Sequence, residues 1–314
     1  MFSIAAAAVL LILTTRYPAA CTQAVIQGLT LCLTRAIPSL FPFFVASCLT
    51  IRSGLAAALS RLFSPLLRRL HLPACSSTAL LLGFLGGYPT GAQTIAELLN
   101  SGQCSEEDAN RLILFCNNTG PAFLVGMCGS TLFDSVRAGL FLYVVHILSA
   151  CLAGVLFGRT RGDAPRPDRH TSPVRLTECL THSIRQAGVI TLTVTSFILY
   201  FHVLLTLLSE TGVLPHLTAR LGALLPLAPN GIQALLVGSF ELTSGLALLA
   251  NAALSPATEL LCCSGLCAFG GLCVLFQSAA AAPQLRFSRI FLGKLLHASL
   301  AVTLTAALLP LSGL

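Results

Sequence analysis

The stretch LLLGFLGGYPTGAQ, residues 80–93, begins as an apolar helix and then breaks. Four glycines and one proline lie between Gly83 and Gly91, and these residues interrupt helices. In lipid, a backbone N–H or C=O without a partner is costly, so irregular backbone survives there only where protein buries it or a wet cavity borders it. In a membrane protein, such a break therefore predicts an internal site.

The composition places the chain in a membrane. Its 314 residues are 55% hydrophobic and 9% charged, and the mean hydropathy is +0.85. The first apolar run is followed, not preceded, by its basic residue, Arg16, which favours a retained membrane segment over a cleaved signal. All but one of the 18 basic residues are arginines, mostly at the ends of apolar segments. That pattern sets topology and indicates no nucleic-acid partner.

Neither the cysteines nor the known enzyme motifs indicate a reaction. The 13 cysteines are scattered through apolar helices, and the one dense group, Cys262, Cys263, Cys267 and Cys273, lacks paired C-x-x-C spacing and a nearby histidine. We therefore expect small-residue packing, without a disulfide framework or a metal site. The chain contains no G-x-S-x-G, G-x-x-x-x-G-K-S/T or H-E-x-x-H motif, so no enzyme and no cofactor is expected.

The chain divides into two similar halves. The first half contains ALLLGFLGGYPTG at 79–91, GPAFLVG at 120–126, Arg137 and His146, and the second contains ALLVGSFELTSG at 234–245, GGLCVLFQS at 270–278, Arg289 and His297. The matching segments stay about 150 residues apart, which predicts an internal duplication. We therefore predict an N-terminal membrane repeat at 1–157, an Arg-rich cytoplasmic loop at 158–175 and a C-terminal membrane repeat at 176–314.

Basic residues predict the orientation of the two halves. The helix near 138–157 has its basic cluster after it, whereas the helix near 290–312 has Arg286, Arg289 and Lys294 at its start. If both clusters are cytoplasmic, these helices run in opposite directions. We therefore predict an all-α polytopic membrane protein with two inverted repeats and broken or reentrant helices. Secondary transporters have this arrangement and bind their substrates at the repeat interface.

The break in the first half offers an anion site. Gly86, Gly87, Tyr88, Pro89 and Thr90 form a turn and a helix start, where unpaired amides and the positive end of the helix dipole favour a carboxylate or a phosphate. The alternative is a tight turn that packs against another helix without a ligand.

The matching break places Glu241, Thr243 and Ser244 in apolar sequence. A buried acid is costly, which predicts a proton carrier, a cation ligand or a partner of a substrate donor. The alternative is a glutamate that is protonated or that caps a broken helix end.

A third break, Asn117-Asn118-Thr119, offers donors and acceptors that suit a ligand with carboxylates and a ring nitrogen, or a nucleoside. A plain turn cap is the alternative. His146 and His297 are predicted either to relay protons or to bond a neighbouring helix.

Five segments together carry a family resemblance: GFLGGYPTGA (83–92), FCNNTGP (115–121), FELTSG (240–245), FGGLCVLFQ (269–277) and KLLH (294–297). In this order they resemble sporulation integral membrane proteins of the YlbJ type, which are similar to nucleoside-recognition or Gate domain membrane proteins. The family tends to have Ser-Val-His before its glutamine, where Cys273-Val274-Leu275-Phe276 stand here. Gln277 remains as a candidate site residue.

The resemblance implies a role in endospore formation, in the mother-cell membrane around the forespore, with dipicolinic acid as cargo. The leading hypothesis is thus a transporter or permease for a small carboxylate, which binds at the three breaks and Gln277. An anion at Glu241 would repel dipicolinate unless it is protonated or binds a co-transported cation, so a coupling proton or cation is expected. A carrier of nucleosides or other small metabolites and a non-transporting sporulation scaffold are the alternatives. A homo-oligomer or a sporulation membrane partner stays open.

Overall fold

The computed structural model describes residues 2–53, 76–157 and 175–314, together with positions 55 and 65. Within these residues every regular element is a helix, which confirms the predicted all-α class. The predicted Arg-rich loop lies outside the described residues, apart from Arg175.

The helices of the first half are α1 (Phe2–Arg16), α2 (Pro18–Leu31), α3 (Ile37–Arg52), α4 (Ser76–Gly86), α5 (Thr90–Asn100), α6 (Glu106–Leu112) and α7 (Val136–Phe157), with π-helices at Cys32–Ala36 and Ala122–Leu132. Those of the second half are α8 (Leu176–Glu210), α9 (Val213–Gly222), α10 (Pro229–Phe240), α11 (Leu242–Leu249), α12 (Pro256–Phe269), α13 (Gly271–Ala281) and α14 (Phe287–Ser312).

Five helical segments of the described chain are long and apolar enough to cross a membrane: Pro18–Thr50, Val136–Leu156, Leu176–Glu210, Pro256–Ala281 and Phe287–Ser312. On α7 the exposed apolar side chains recur every four residues, at Val136, Leu140, Val144, Leu148 and Leu152. A continuous apolar stripe of this kind is suited to lipid and not to water. The chain is an integral membrane protein.

Two pairs of short helices form hairpins, each too short to cross a bilayer with one arm. Helices α4 and α5 contain 11 residues each, so each arm is about 16 Å long, against a hydrocarbon core of about 30 Å. Helices α10 and α11 form the second hairpin, with 12 and 8 residues. The arms separate where the sequence predicted, at Gly87 to Pro89 and at Glu241. Gly87 has a φ of +69°, a conformation that side chains disfavour.

Glycine controls how closely the broken segments approach. A Cβ atom added to Gly245 would overlap the Cα atom of Gly238 in the other arm of its hairpin. One added to Gly83 would overlap the carbonyl oxygen of Cys116. Only a hydrogen atom fits at these crossings, as in other small-residue contacts between membrane helices.

The two halves share one order of elements. A hairpin is followed by an interrupted segment (α6 and the π-helix Ala122–Leu132, or α12 and α13) and then by a long helix, α7 or α14. Helix α7 packs against α14, and α3 packs against α8, so each half contributes to both pairs. The duplication and the opposite orientation of the repeats stay predictions.

Candidate functional site

The interruptions of both halves converge inside the protein. Gly87, at the tip of the first hairpin, lies so close to Gly120 that an added Cβ would be 2.9 Å from the Gly120 nitrogen. Thr119 donates a hydrogen bond from Oγ1 to the carbonyl oxygen of Cys267 at 2.7 Å, which joins the third break to α12. Protein therefore encloses the freed backbone groups, as the membrane interior requires.

A cavity lies where these interruptions meet. Its volume is about 50 Å³, measured as the space open to the centre of a water molecule. One water needs about 10–15 Å³ in this measure, so the space holds only a few waters. Apolar walls come from Leu40 and Phe44 of α3 and from Val194 and Ile198 of α8. An apolar enclosure with a few polar groups is the usual form of a small-molecule site.

Seven of the residues predicted for the site line this cavity: Gly86, Gly87, Tyr88, Thr119, Glu241, Thr243 and Gln277. The other five lie outside the lining. Pro89 precedes α5, and the Thr90 hydroxyl donates to the carbonyl oxygen of Gly86 at 3.4 Å. Ser244 borders a separate groove, where its Oγ lies 3.1 Å from Nδ1 of His202. Asn117 and Asn118 are fully buried and do not line the cavity.

Side chains of the chain itself cap the helix N-termini that the sequence offered to an anion. Glu241 accepts hydrogen bonds from the amides of Thr243 at 2.8 Å and Ser244 at 2.6 Å, and thus caps α11. Asn117 Oδ1 accepts from the amide of Ala92 in the first turn of α5 at 3.2 Å. The capping alternative for Glu241 is therefore realised, and the carboxylate also borders the cavity.

The two asparagines of the third break have different surroundings. Asn117 Nδ2 donates to Ser278 Oγ of α13 at 2.7 Å, so its amide joins α5 to the second half. Asn118 Nδ2 donates to the carbonyl oxygen of Phe115 at 2.8 Å. Its Oδ1 atom is buried and finds no hydrogen-bond donor among the described residues. Such an acceptor costs about 1–3 kcal/mol, so a donor from water or a ligand would be stabilised there.

Lys294 is the candidate that sequence reasoning missed. It is fully buried in α14, and its Nζ donates to the Tyr88 hydroxyl at 2.9 Å and to the carbonyl oxygen of Asn117. Its interpretation as a flanking cytoplasmic charge is therefore wrong, and the predicted orientation depends on Arg286 and Arg289. One signal was available, because Lys294 is the only lysine of an Arg-rich chain.

A hydrogen-bonded network continues from Lys294 between α14 and α7. Lys294 Nζ lies 3.4 Å from Nδ1 of His297, whose Nε2 lies 2.9 Å from Ser149 Oγ and 3.1 Å from the carbonyl oxygen of His146. His146 Nε2 accepts from the amide of Thr119 at 3.0 Å. Both histidines therefore bond neighbouring segments, and the network reaches the cavity through Thr119 and Tyr88.

An acidic and a basic side chain are associated with this cavity, one in its lining and the other bonded to a lining residue. Glu241 and Tyr88 line the cavity, and the Tyr88 hydroxyl bonds Lys294. Ionisable groups inside a membrane protein are costly to bury and mark substrate or ion pathways.

Two comparisons with known proteins agree with the resemblance predicted from the motifs. Residues 33–156 match the family model Gate, described as nucleoside recognition. The chain is 27% identical over 308 residues to the sporulation integral membrane protein YlbJ of Bacillus subtilis (strain 168), across 90% of this chain and 76% of that protein. The Gate match includes the first hairpin and the third break, whereas the similarity to YlbJ extends over nearly the whole chain.

Proposed function

We propose that this chain is a membrane transporter for a small carboxylate, and that its cargo is dipicolinate moved across the outer forespore membrane during endospore formation. The similarity to a sporulation integral membrane protein supports the setting. The observation that carries the proposal is the cavity at the junction of the helix breaks, with Glu241 in its lining and Lys294 bonded to Tyr88. No catalytic role is proposed for any residue.

Lys294 supplies the positive charge that an anionic cargo needs, because the acid Glu241 borders the cavity. Dipicolinate carries two carboxylates, which Glu241 repels when it is ionised. A protonated Lys294 provides the opposite charge, and Tyr88 connects it to the cavity through its hydroxyl. Tyr88 can accept from Lys294 and donate its own O–H to a substrate carboxylate at the same time, because a phenol hydroxyl both donates and accepts.

In the described conformation the cavity has room for only a few waters. A planar dicarboxylate needs more room, so binding requires the hairpin tips at Tyr88 and Glu241 to move apart. The short arms make this motion local, because each hairpin ends at the cavity. Alternate opening of the two hairpins is the transport cycle that we propose.

The direct test is uptake of labelled dipicolinate into liposomes that contain the purified protein, with an imposed proton gradient. We expect gradient-dependent uptake by the wild type and a fall of roughly 10- to 100-fold, or loss of gradient dependence, in Glu241→Gln. Glutamine has neither a negative charge nor a proton that it can release, so it cannot couple uptake to the gradient. A hydrogen bond to a charged group is worth about 1.5–3 kcal/mol, which corresponds to the expected factor. Glu97→Gln is the matched control, because Glu97 is exposed on α5.

No uptake by a wild-type protein with a defined melting transition would oppose a transporter. Uptake by Glu241→Gln at the wild-type rate and with the wild-type gradient dependence would limit Glu241 to its capping role.

A nucleoside carrier is the second candidate, favoured by the Gate match over residues 33–156. Nucleosides offer ring nitrogens and hydroxyls but no carboxylate, so they suit Asn118 and Thr119 better than Lys294. Competition decides: an excess of nucleoside that blocks dipicolinate uptake favours this class, and an excess without effect favours the carboxylate. A scaffold, the third candidate, would tolerate Glu241→Gln and fail when residues 158–175 are deleted.

A further inference from the structure

Three thiols from the two halves meet in the protein interior. Cys128 lies in the π-helix Ala122–Leu132, and Cys263 and Cys267 lie one turn apart on α12. All three are fully buried, and their sulfur atoms lie within 4.8 Å of one another. The sulfur of Cys267 is 3.8 Å from that of Cys128 and 3.8 Å from that of Cys263.

Sequence spacing does not reveal this cluster, because Cys128 comes from the other half of the chain. Two cysteines four residues apart on a helix share a face, and such a pair alone indicates packing. Other cysteines follow that expectation: Cys48 packs with apolar side chains of α3 and α8 and with no second thiol in its cluster. The convergence of three sulfurs is a different arrangement and has the ligand type of a metal site.

We propose that Cys128, Cys263 and Cys267 bind one soft metal ion, Cu(I), through their sulfur atoms. A metal held by three sulfurs in a plane at about 2.3 Å separates those sulfurs by about 4.0 Å, because the spacing equals the bond length multiplied by the square root of three. The two S···S distances of 3.8 Å to Cys267 need only small adjustments to match this spacing. Thiolate sulfur is also a ligand that selects Cu(I).

The number of ligands favours Cu(I) over Zn²⁺. A structural zinc ion takes four ligands, and no fourth His, Cys, Asp or Glu of the described chain joins this group. Apolar side chains, among them Leu124, Leu246 and Leu266, belong to the same buried cluster as these thiols. Water is therefore a poor fourth ligand, because a buried water needs several polar partners.

A bound ion would join the two halves beside the cavity. The π-helix that carries Cys128 also contributes Ala122 and Phe123 to the cavity wall. The carbonyl oxygen of Cys267 accepts the hydrogen bond from Thr119. The metal would brace this wall without contacting the cargo, and the inference is independent of transport because its test measures metal binding.

The test is Cu(I) binding by the purified full-length protein in detergent, under reducing and oxygen-free conditions. Cu(I) is titrated in competition with a colorimetric Cu(I) chelator, and copper per protein is counted after gel filtration. We expect one retained equivalent in the wild type and in Cys48→Ser, the control for loss of a buried thiol elsewhere. Cys128→Ser and Cys267→Ser should each bind at least about 100-fold more weakly, because each removes a ligand.

Two serine variants are used in case one of them fails to fold. The melting transition of each variant without copper shows whether it has folded. A folded wild type that retains no copper overturns the proposal. One equivalent of copper retained by both serine variants also overturns the proposal, because the copper then lies elsewhere. Retention of Zn²⁺ in preference to Cu(I) under matched competition overturns the assignment of the metal.

Discussion

Uptake of dipicolinate is expected to fall at least about 30-fold in a Lys294→Met protein that still folds. Methionine keeps an unbranched apolar chain of similar length but has no N–H group. Truncating one partner of a buried, hydrogen-bonded charged contact costs about 2–5 kcal/mol in recognition, which gives this factor. The lost contacts to Tyr88 and Asn117 should also lower the free energy of unfolding by about 1–3 kcal/mol.

Arg289→Met is the matched control, because it removes a positive charge from an exposed position of the same helix. It should leave both uptake and the melting temperature near wild type. Liposome uptake and thermal unfolding in detergent measure the two effects separately. Wild-type uptake by Lys294→Met would restrict the buried nitrogen to a structural role and remove the charge argument for a carboxylate cargo.

Gly245→Ala is expected to destabilise the protein by about 3 kcal/mol or more, or to prevent folding. The new methyl group would overlap the Cα atom of Gly238, which is backbone and cannot rotate away. The arms of the second hairpin must therefore separate, and overpacking of a tight core costs about 1–3 kcal/mol even where side chains can yield. A lower melting temperature and a smaller monodisperse fraction on gel filtration are the readouts.

Gly188→Ala provides the contrast within the same chain. Gly188 lies in α8, and a Cβ atom added there meets nothing within 4 Å. Alanine in a helix interior should stabilise the protein by about 0.5–1 kcal/mol relative to glycine. If both alanine variants melt at the wild-type temperature, the close approach of the arms of the second hairpin is wrong.

The positions of the helix breaks could be predicted because their causes are local. Closely spaced glycines and a proline favour a break in a helix. An acid such as Glu241 stands out in apolar sequence. The all-α membrane class follows from composition in the same way. Tyr88 and Thr119 could be selected for the cavity because each belongs to an interrupted segment, and Gln277 because the family resemblance includes it.

The partners of these groups could not be predicted, because they depend on contacts between distant segments. Lys294 follows Arg286 and Arg289 along the chain, so its sequence neighbours indicated a surface charge. Its burial results from the packing of Tyr88 and the carbonyl group of Asn117 against α14. The bond from Ala92 to Asn117 likewise crosses 25 residues, and no local rule selects that acceptor. For Glu241 the sequence named the capping role but could not choose it over the alternatives.

The caps formed by Glu241 and Asn117 compete with any carboxylate that approaches the same amides. Each cap is held at the helix end by the chain, so its effective concentration there far exceeds that of a dissolved ligand. An anion that uses these amides gains only the difference between its own bonds and those it replaces. Binding there is therefore weak, and the cap returns as the anion leaves. Weak, reversible binding suits a carrier better than tight binding, because a carrier must release its cargo after moving it.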